Sequence, residues 1–308
     1  MSVVEFQGVS ASYDGELAVL DGVSFAIEPG EFVAFVGTNG AGKSTAMRLV
    51  NGLIKPTAGR VLLDGRPTSE CKVSECAAKV GFLFQNPDRQ ICCNTVREEL
   101  LFGFAAQGRA DGAAQAKVDA VIERFGFNPD AEPFLLNRGT RQLLALASVI
   151  VLEPAVLVLD EPTTGLDFRE CRAVMEAVCE LNARGTTVLM VCHDMEVVGD
   201  YARRVIALTQ GRVVADGPTF EVLRNEAALS RAHLVPPQVC EVSMRLAREL
   251  PALVATAVTR ANTLDEMEEA IASCAAARVS VACSGHGTEA ASAPAHPRAA
   301  AAERGKVA

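Results

Sequence analysis

The stretch GTNGAGKST, at residues 37–45, has the residue types and the spacing of a loop that binds phosphate groups. Its glycines let backbone N–H groups curl around an anion, and the amino end of a following helix adds a favourable dipole. Lys43 supplies a positive charge to the β and γ phosphates of a nucleotide, and Ser44 offers a hydroxyl to Mg²⁺. The residues expected to line this site are Gly37, Thr38, Asn39, Gly40, Ala41, Gly42, Lys43, Ser44 and Thr45.

Two acidic residues follow the apolar run VLVL at residues 156–159. Such a run predicts a buried strand, and the end of that strand would deliver both carboxylates to the phosphates. Asp160 is a candidate ligand of Mg²⁺, and Glu161 can polarise a water molecule for attack on the γ phosphate. Two acids that merely end a strand are the alternative, and the phosphate loop makes a hydrolytic site the favoured interpretation.

One histidine ends a third apolar run, in TTVLMVCHD at residues 186–194. A lone histidine usually carries no function. His193, however, ends a strand of the same predicted sheet, at the edge where loops gather around ligands. It is therefore a further candidate for contact with the nucleotide.

The elements that must position these side chains form an alternation of strands and helices. Short apolar runs at residues 31–37, 79–85, 155–160 and 186–192 predict buried parallel strands, and a helix is expected to begin at Lys43. Hairpins are predicted at Asp64-Gly65 and at Gln210-Gly211. The sequence therefore predicts an α/β fold with an attached antiparallel β layer.

The chain changes character after about Arg224. Apolar residues recur at helical spacing in one segment, and a second segment begins with a capping-box pattern at Thr263 and Glu266. The apolar positions of the first segment are Val239, Val242, Leu246 and Leu250. Residues 225–273 are therefore predicted to form a small helical extension. Residues 274–308 are rich in Ala, Ser, Gly and Pro, and we expect them to be disordered.

The overall composition narrows the classes of function. The 308 residues carry a net charge of −9, which disfavours a nucleic-acid-binding protein that relies on overall positive charge. The ten cysteines show no metal-finger spacing and are expected to be reduced thiols. No signal peptide is expected at the N-terminus, and Glu153-Pro154 interrupts the longest apolar stretch, so any membrane role would require partner proteins.

The order of these motifs resembles that of the nucleotide-binding subunits of ABC transporters, over roughly residues 1–224. The order consists of the phosphate loop, then Gln85, LDEPTTGLD at residues 159–167, and VCHD at residues 191–194. The resemblance implies a P-loop NTPase core of ABC type, with a helical subdomain at about residues 86–152. It also implies ATP and Mg²⁺ as cofactors, ATP hydrolysis coupled to transport, and action as half of an ATPase dimer.

The same resemblance implies roles for single residues outside the phosphate loop. Tyr13 would stack on adenine, Gln85 would contact Mg²⁺ and sense the γ phosphate, and His193 would contact the γ phosphate. Asp167 would cross to the partner subunit at the dimer interface. The residues alone also allow purely structural roles. Tyr13 could be an ordinary aromatic residue of a strand, Gln85 a solvated strand end, and Asp167 a turn or cap residue.

A narrower likeness rests on FQNPDRQI at residues 84–91 and TVREELLFG at residues 95–103, which resemble energy-coupling factor importers and the related cobalt and nickel importers. It implies a second ABC ATPase subunit, a membrane coupling protein and a substrate-capturing membrane protein as partners, and a place on the cytoplasmic face of the cell membrane. No nucleic-acid partner is expected. The alternatives are another class of ABC transporter, a soluble ABC ATPase acting on DNA or ribosomes, and a regulatory subunit with weak turnover.

The stretch LLNRGTRQ departs from the LSGGQ signature with which this family contacts the nucleotide of the partner subunit. Leu136, Gly139 and Gln142 match, whereas the other signature positions hold Asn137, Arg138 and Thr140. Asn137 is a suitable helix N-cap, while Arg138 adds charge and also bulk where a backbone should approach a phosphate. We expect residues 137–140 at the dimer interface, in a heterodimer with one strong and one weak site. An ordinary capped helix with an exposed arginine is the alternative.

Overall fold

The computed structural model describes residues 1–13, 18–249 and 257–273. The strands are β1 Val4–Ser12, β2 Ala18–Ile27, β3 Phe32–Gly37, β4 Ala58–Leu63, β5 Arg66–Pro67, β6 Val80–Leu83, β7 Val156–Asp160, β8 Thr187–Val191, β9 Arg204–Thr209 and β10 Arg212–Pro218. The helices are α1 Lys43–Val50, α2 Val73–Ala77, α3 Val96–Ala106, α4 Gly112–Phe125, α5 Arg138–Ile150, α6 Phe168–Ala183, α7 Met195–Tyr201, α8 Thr219–Leu223, α9 Glu226–Ala232 and α10 Gln238–Glu249. A further helix covers residues 264–273, and the predicted disordered tail lies outside the described residues.

A six-stranded sheet lies at the centre, in the order β10-β9-β3-β8-β7-β6. Strands β9, β3, β8, β7 and β6 run parallel, and β10 pairs antiparallel with β9 in the hairpin predicted at Gln210-Gly211. Every residue of β3, β7 and β8 is buried, because layers of the protein cover both faces of the sheet. The predicted α/β fold with a parallel sheet is confirmed.

The parallel direction of these strands has a direct consequence for the candidate site. The carboxyl ends of β3, β8, β7 and β6 lie side by side at one edge of the sheet. The phosphate loop follows β3, Glu161 follows β7, His193 follows β8 and Gln85 follows β6. Four segments that are far apart in sequence therefore meet at the sheet edge where α/β proteins bind ligands.

A second, antiparallel sheet has the order β2-β1-β4-β5 and covers one face of the central sheet. Phe6 of β1 stacks on Phe25 of β2 with ring centroids 4.3 Å apart, and Phe25 packs edge-on to Phe35 of β3 at 5.4 Å. The hairpin between β4 and β5 turns at Asp64-Gly65, as the sequence predicts. The expected antiparallel layer is therefore present, and it shares its core with α1.

Helices α3 to α6 cover the other face of the central sheet. The turn before α3 depends on Glu99, whose side chain is buried and whose Oε2 atom accepts hydrogen bonds of 2.9 Å from the backbone N–H groups of Cys92 and Cys93. The buried carboxylate accepts the two hydrogen bonds that the backbone N–H groups would otherwise have to donate to water. Glu99 therefore fixes the backbone of the two adjacent cysteines.

We expect Glu99→Ala to lower the free energy of unfolding by about 2 kcal/mol, because it leaves two partly buried N–H donors without their acceptor. Glu99→Gln retains one amide oxygen and should lose about 1 kcal/mol. Urea unfolding of the full chain measures both changes. Glu123→Ala, at an exposed position of α4, is the matched control, and an equal loss in the control would contradict this role for Glu99.

The C-terminal extension is joined to the core through Arg224. Its guanidinium donates to Ser243 Oγ at 3.0 Å, to Asn262 Oδ1 at 2.9 Å and to the Ala261 carbonyl at 3.2 Å. The buried residues of α10 are Cys240 and Ser243, and Ser243 faces Arg224. The predicted apolar position Val242 is half exposed. The helix is present as expected, but a polar anchor rather than an apolar stripe sets its buried face. The boundaries predicted for the domains stay predictions.

Candidate functional site

The phosphate loop connects β3 to α1 and packs closely against β2. Gly42 has φ 97° and caps α1, and a Cβ atom there would lie 2.5 Å from the Leu20 side chain and 2.8 Å from the Val19 carbonyl. A larger residue at this position would force the loop away from β2 and strain its backbone. The helix begins at Lys43, as predicted, so its free N–H groups point into the loop.

Lys43 is the cation of this site. Its side chain is buried, and Nζ donates to the carbonyls of Gly37 at 2.8 Å and Thr38 at 2.9 Å. Burial lowers the pKa of Lys43, while the carboxylates of Glu161 and Asp160 act in the opposite direction. A partly desolvated ammonium held by two backbone carbonyls attracts an anion more strongly than an exposed lysine does.

Asp160 lies at the end of β7 and contacts the first turn of α1. Its Oδ1 atom accepts a hydrogen bond of 3.0 Å from Ser44 Oγ, and its side chain is buried. Burial raises the pKa of Asp160, and the Ser44 hydroxyl partly opposes that shift. A hydroxyl and a carboxylate that converge beside a phosphate loop are the hard oxygen ligands that Mg²⁺ prefers, so the residues present fit this ion.

Glu161 is held by three side chains from three different segments. Its Oε2 atom accepts hydrogen bonds from Gln85 Nε2 at 2.7 Å and from Thr164 Oγ1 at 3.1 Å, and its Oε1 atom lies 3.0 Å from His193 Nε2. Its backbone has φ 53°, a left-handed conformation that is unusual for a glutamate. Such a conformation persists only where the surroundings enforce it, and it is found most often at functional sites.

These groups surround one small cavity of about 150 Å³, lined by residues 39–45, Val19, Glu161 and His193. A larger cavity of about 610 Å³ lies elsewhere, between Glu31, Arg204 and Asp216. The residues of that larger cavity lie at the start of β3 and β9 and at the end of the antiparallel β10, so it lies at the amino ends of the parallel strands. The smaller cavity lies at the carboxyl ends, and residues 39–45, Glu161 and His193 of the predicted site line it.

Tyr13 lies at the margin of the site. Its hydroxyl is 3.2 Å from Thr45 Oγ1 and accepts a hydrogen bond of 3.2 Å from Arg48, and about half of the residue (53%) is exposed. The exposed part of its ring is therefore free to stack on a flat ligand bound over the loop. The adenine contact implied for Tyr13 stays a prediction.

The unusual turn before α5 forms a regular helix start. Asn137 is the N-cap, and its side chain accepts a hydrogen bond of 2.8 Å from the Thr140 N–H group. Arg138 turns back towards its own chain and donates to the Thr164 carbonyl at 3.2 Å. The predicted cap is thus in place, and the arginine beside it is exposed while its guanidinium is bonded to the Thr164 carbonyl. Its guanidinium lies over Gly165.

Asp167 caps α6 in a reciprocal pair with Glu170. The Asp167 carboxylate accepts from the Glu170 N–H group at 2.9 Å, and Glu170 accepts from the Asp167 N–H group at 3.0 Å. This arrangement is a capping box, the local role that the sequence left open for Asp167. A contact of Asp167 with a partner subunit stays a prediction.

One residue of this network was missed by sequence reasoning. Thr164 lies three residues after Glu161, in a turn closed by a 3.3 Å hydrogen bond from the Thr164 N–H group to the Glu161 carbonyl. That turn returns the threonine hydroxyl to the glutamate carboxylate. A hydroxyl residue in a short turn after an acidic strand end is the signal that could have identified it.

Comparisons with known proteins show the family to which the chain belongs. The sequence profile of the ABC transporter family matches residues 20–164. The energy-coupling factor transporter ATP-binding protein EcfA of Methanothermobacter thermautotrophicus is 35% identical over 248 residues, which cover 79% of this chain and 80% of that protein. EcfA2 of Acetivibrio thermocellus is 35% identical over 260 residues, which cover 83% of this chain and 92% of that protein. The chain belongs to the energy-coupling factor family of ABC transporter ATP-binding proteins.

A solved structure supports the same assignment at the level of the fold. CbiO1 from Clostridium perfringens, described as part of the ABC transporter complex CbiONQ, has a TM-score of 0.67 and 29% identity, and the match covers 81% of this chain and 96% of CbiO1. The expected ABC-type P-loop core and the resemblance to energy-coupling factor ATPases are thereby confirmed.

Other relatives of this family differ from the chain in length. The chain spans 44% of an ABC transporter ATP-binding protein of Caldanaerobacter subterraneus, and 37% and 42% of relatives from two Methanosarcina species.

Within the described residues, none of the helices has both the length and the apolar character of a membrane span.

Proposed function

We propose that this protein binds and hydrolyses ATP as a subunit that powers a membrane importer of energy-coupling factor type. The observation that carries the proposal is the carboxylate of Glu161, held by Gln85, Thr164 and His193 beside the phosphate loop. A general base must lie close to the water that it activates, and a held carboxylate at a phosphate site meets that requirement. The similarity to EcfA, EcfA2 and CbiO1 supports the transport role.

In this proposal, the loop at residues 37–45 binds the phosphates through its backbone N–H groups, and Lys43 moves its ammonium from two loop carbonyls to the β and γ oxygens. Ser44 and Asp160 would hold Mg²⁺, with Gln85 as a further ligand. The ion, when bound, neutralises charge that develops on the phosphate oxygens. Glu161 accepts the proton of the attacking water, and His193 donates a hydrogen bond towards the γ phosphate.

The protein works in this proposal as half of a dimer with a second ABC ATPase subunit of different sequence. Asn137, Arg138, Gly139, Thr140 and Asp167 face that partner. A membrane coupling protein and a substrate-capturing membrane protein complete the complex, which places the chain peripherally on the cytoplasmic face of the cell membrane. The substrate is selected by the membrane proteins, so no residue of this chain needs to touch it.

Purification of the tagged full chain from detergent-solubilised membranes tests this proposal. We expect membrane proteins of both kinds and a second ATPase subunit to co-purify in fixed ratio, and the complex to hydrolyse ATP only with Mg²⁺. The Glu161→Gln complex should assemble equally well and lose that activity. Recovery of the chain free of membrane proteins, bound instead to ribosomes or DNA, would contradict the transport role.

A further inference from the structure

The first two turns of α5 are hydrogen-bonded to the loop that follows Glu161 in the same chain. Gln142, which is buried, donates from Nε2 to the Pro162 carbonyl at 3.2 Å, and Arg138 donates from Nη2 to the Thr164 carbonyl at 3.2 Å. Residues 138 and 142 are four positions apart, so they lie on one face of the helix. Two side chains of one helix face therefore hold two alternate carbonyls of a single loop.

This loop carries the contact that orients the glutamate. Thr164 donates its hydroxyl to Glu161 Oε2 at 3.1 Å, while its own carbonyl accepts from Arg138 at 3.2 Å. The backbone of Glu161 is in the left-handed region, with φ 53°. A residue in that conformation relaxes unless its neighbours prevent it. The hydrogen bonds from α5 to residues 162–165 therefore help to fix the position of the Glu161 carboxylate.

Glycine at position 165 makes the arginine contact possible. A Cβ atom at Gly165 would lie 2.7 Å from Arg138 Cζ and 2.9 Å from its Nη1 atom, so the planar guanidinium rests on the bare backbone of the turn. The residue at position 138 is also the main departure of this chain from the LSGGQ pattern, which has a glycine there. A glycine at position 138 has no side-chain donor and could not make this hydrogen bond.

We propose that Arg138 is a positioning residue for Glu161 of its own chain, acting through the Thr164 carbonyl and hydroxyl. This inference rests on the proposed function, in which Glu161 activates water and the amino end of α5 faces the nucleotide of the partner subunit. It adds a coupling between the two sites of the dimer. When α5 moves relative to the nucleotide of the partner subunit, Arg138 moves with it and displaces the Thr164 loop. That displacement changes the position of the Glu161 carboxylate in this chain.

The kinetic test uses a complex whose partner subunit carries glutamine in place of its own catalytic glutamate, so that turnover reports this chain's site. Arg138→Ala is expected to lower kcat about tenfold, with KM for ATP changed less than twofold, since the phosphate loop is untouched. Arg138→Lys should recover part of the loss, because an ammonium donates but cannot lie flat on Gly165. Arg172→Ala, which removes an exposed arginine from α6, is the matched control and should leave kcat unchanged.

A double-variant cycle identifies the route of the effect. Thr164→Val removes the hydroxyl bonded to Glu161, and Arg138→Ala should add little further loss to it if both act on the same carboxylate. Fully additive losses in kcat would overturn the route through Thr164. A change in KM without a change in kcat would show that Arg138 serves nucleotide binding instead.

Amide hydrogen exchange of the full chain tests the contact without requiring turnover. Residues 161–167 should exchange several-fold faster in Arg138→Ala than in the wild type or in Arg172→Ala, since they lose one of their two anchors on α5. Unchanged exchange and unchanged kcat would together overturn the positioning role. Absence of ATP hydrolysis in every complex, with faster exchange in Arg138→Ala, would instead refute the proposed function and leave the grip of α5 on the loop established.

Discussion

Replacement of Lys43 by alanine is expected to weaken ATP binding by about 100- to 1,000-fold, since charge-assisted hydrogen bonds to two phosphate groups are lost. Lys43 carries the only ammonium group among the described residues that line the phosphate cavity. The side chain is already buried and held over the loop by the carbonyls of Gly37 and Thr38, so little conformational freedom is lost when phosphate oxygens bind. Isothermal titration calorimetry of the full chain with ATP and Mg²⁺ measures the change.

Two controls separate this effect from general damage to the protein. Lys117→Ala removes a lysine of α4 that pairs with Glu153, and its ATP affinity should equal that of the wild type. Thermal unfolding of Lys43→Ala in the absence of nucleotide shows whether the loop still folds without its two hydrogen bonds to Lys43. Wild-type affinity in a folded Lys43→Ala protein would mean that the triphosphate binds somewhere other than the loop at residues 37–45.

Much of the fold could be predicted from sequence because its signals are local. Continuous apolar runs marked β3, β7 and β8, and the glycine-rich segment after β3 fixed the start of α1 at Lys43. The parallel direction of the strands then brought Gln85, Asp160, Glu161 and His193 to one edge, as expected of an α/β sheet. The strand pattern alone predicted Asp160, Glu161 and His193 near the phosphate loop, whereas Gln85 was expected there only from the resemblance to ABC transporter subunits.

The features that sequence did not predict depend on contacts between distant segments. The direction of the Arg138 side chain is set by Thr164 and Gly165, and Arg138 and Thr164 are 26 residues apart in sequence. The buried face of α10 is set by Arg224, which reaches Ser243 and Asn262 together. No periodicity in the chain encodes such polar contacts, because one hydrogen bond at one position leaves no repeating pattern.

Glu161→Gln is expected to retain ATP binding and to lower the turnover of this chain's site by about 100- to 1,000-fold. The amide keeps the shape of the side chain and can still accept from Gln85 and Thr164, but it cannot take the proton of the attacking water. We therefore expect an ATP-bound dimer that persists for many turnover times of the wild type. Single-turnover hydrolysis and size-exclusion chromatography with ATP measure the two effects. Lys43 and the loop remain intact, so calorimetry should give the wild-type affinity.

The same substitution, compared with its counterpart in the partner subunit, tests the asymmetry that residues 137–140 imply. A Cβ atom at Gly139 would clash with Glu170 Oε1, so a carboxylate of this chain already lies against the first turn of α5 and opposes the approach of a phosphate. Arg138, the cation that could offset that charge, is turned away to Thr164. A partner with an intact signature would complete this chain's own site well, whereas α5 would complete the partner's site poorly.

Glu161→Gln in this chain should therefore reduce the steady-state ATPase rate of the complex by more than tenfold. The partner's glutamate substitution should reduce that rate less than threefold, because the partner's site is already slow. Its phosphate donors come from α5 of this chain, and donors misplaced by about 1 Å can cost on the order of a hundredfold in rate. Both variant complexes are compared at saturating ATP, with nucleotide occupancy measured in each. A greater loss from the partner's substitution would show that Asn137, Arg138 and Gly139 form a competent signature. In that case Glu170 must move away from Gly139 when the dimer closes.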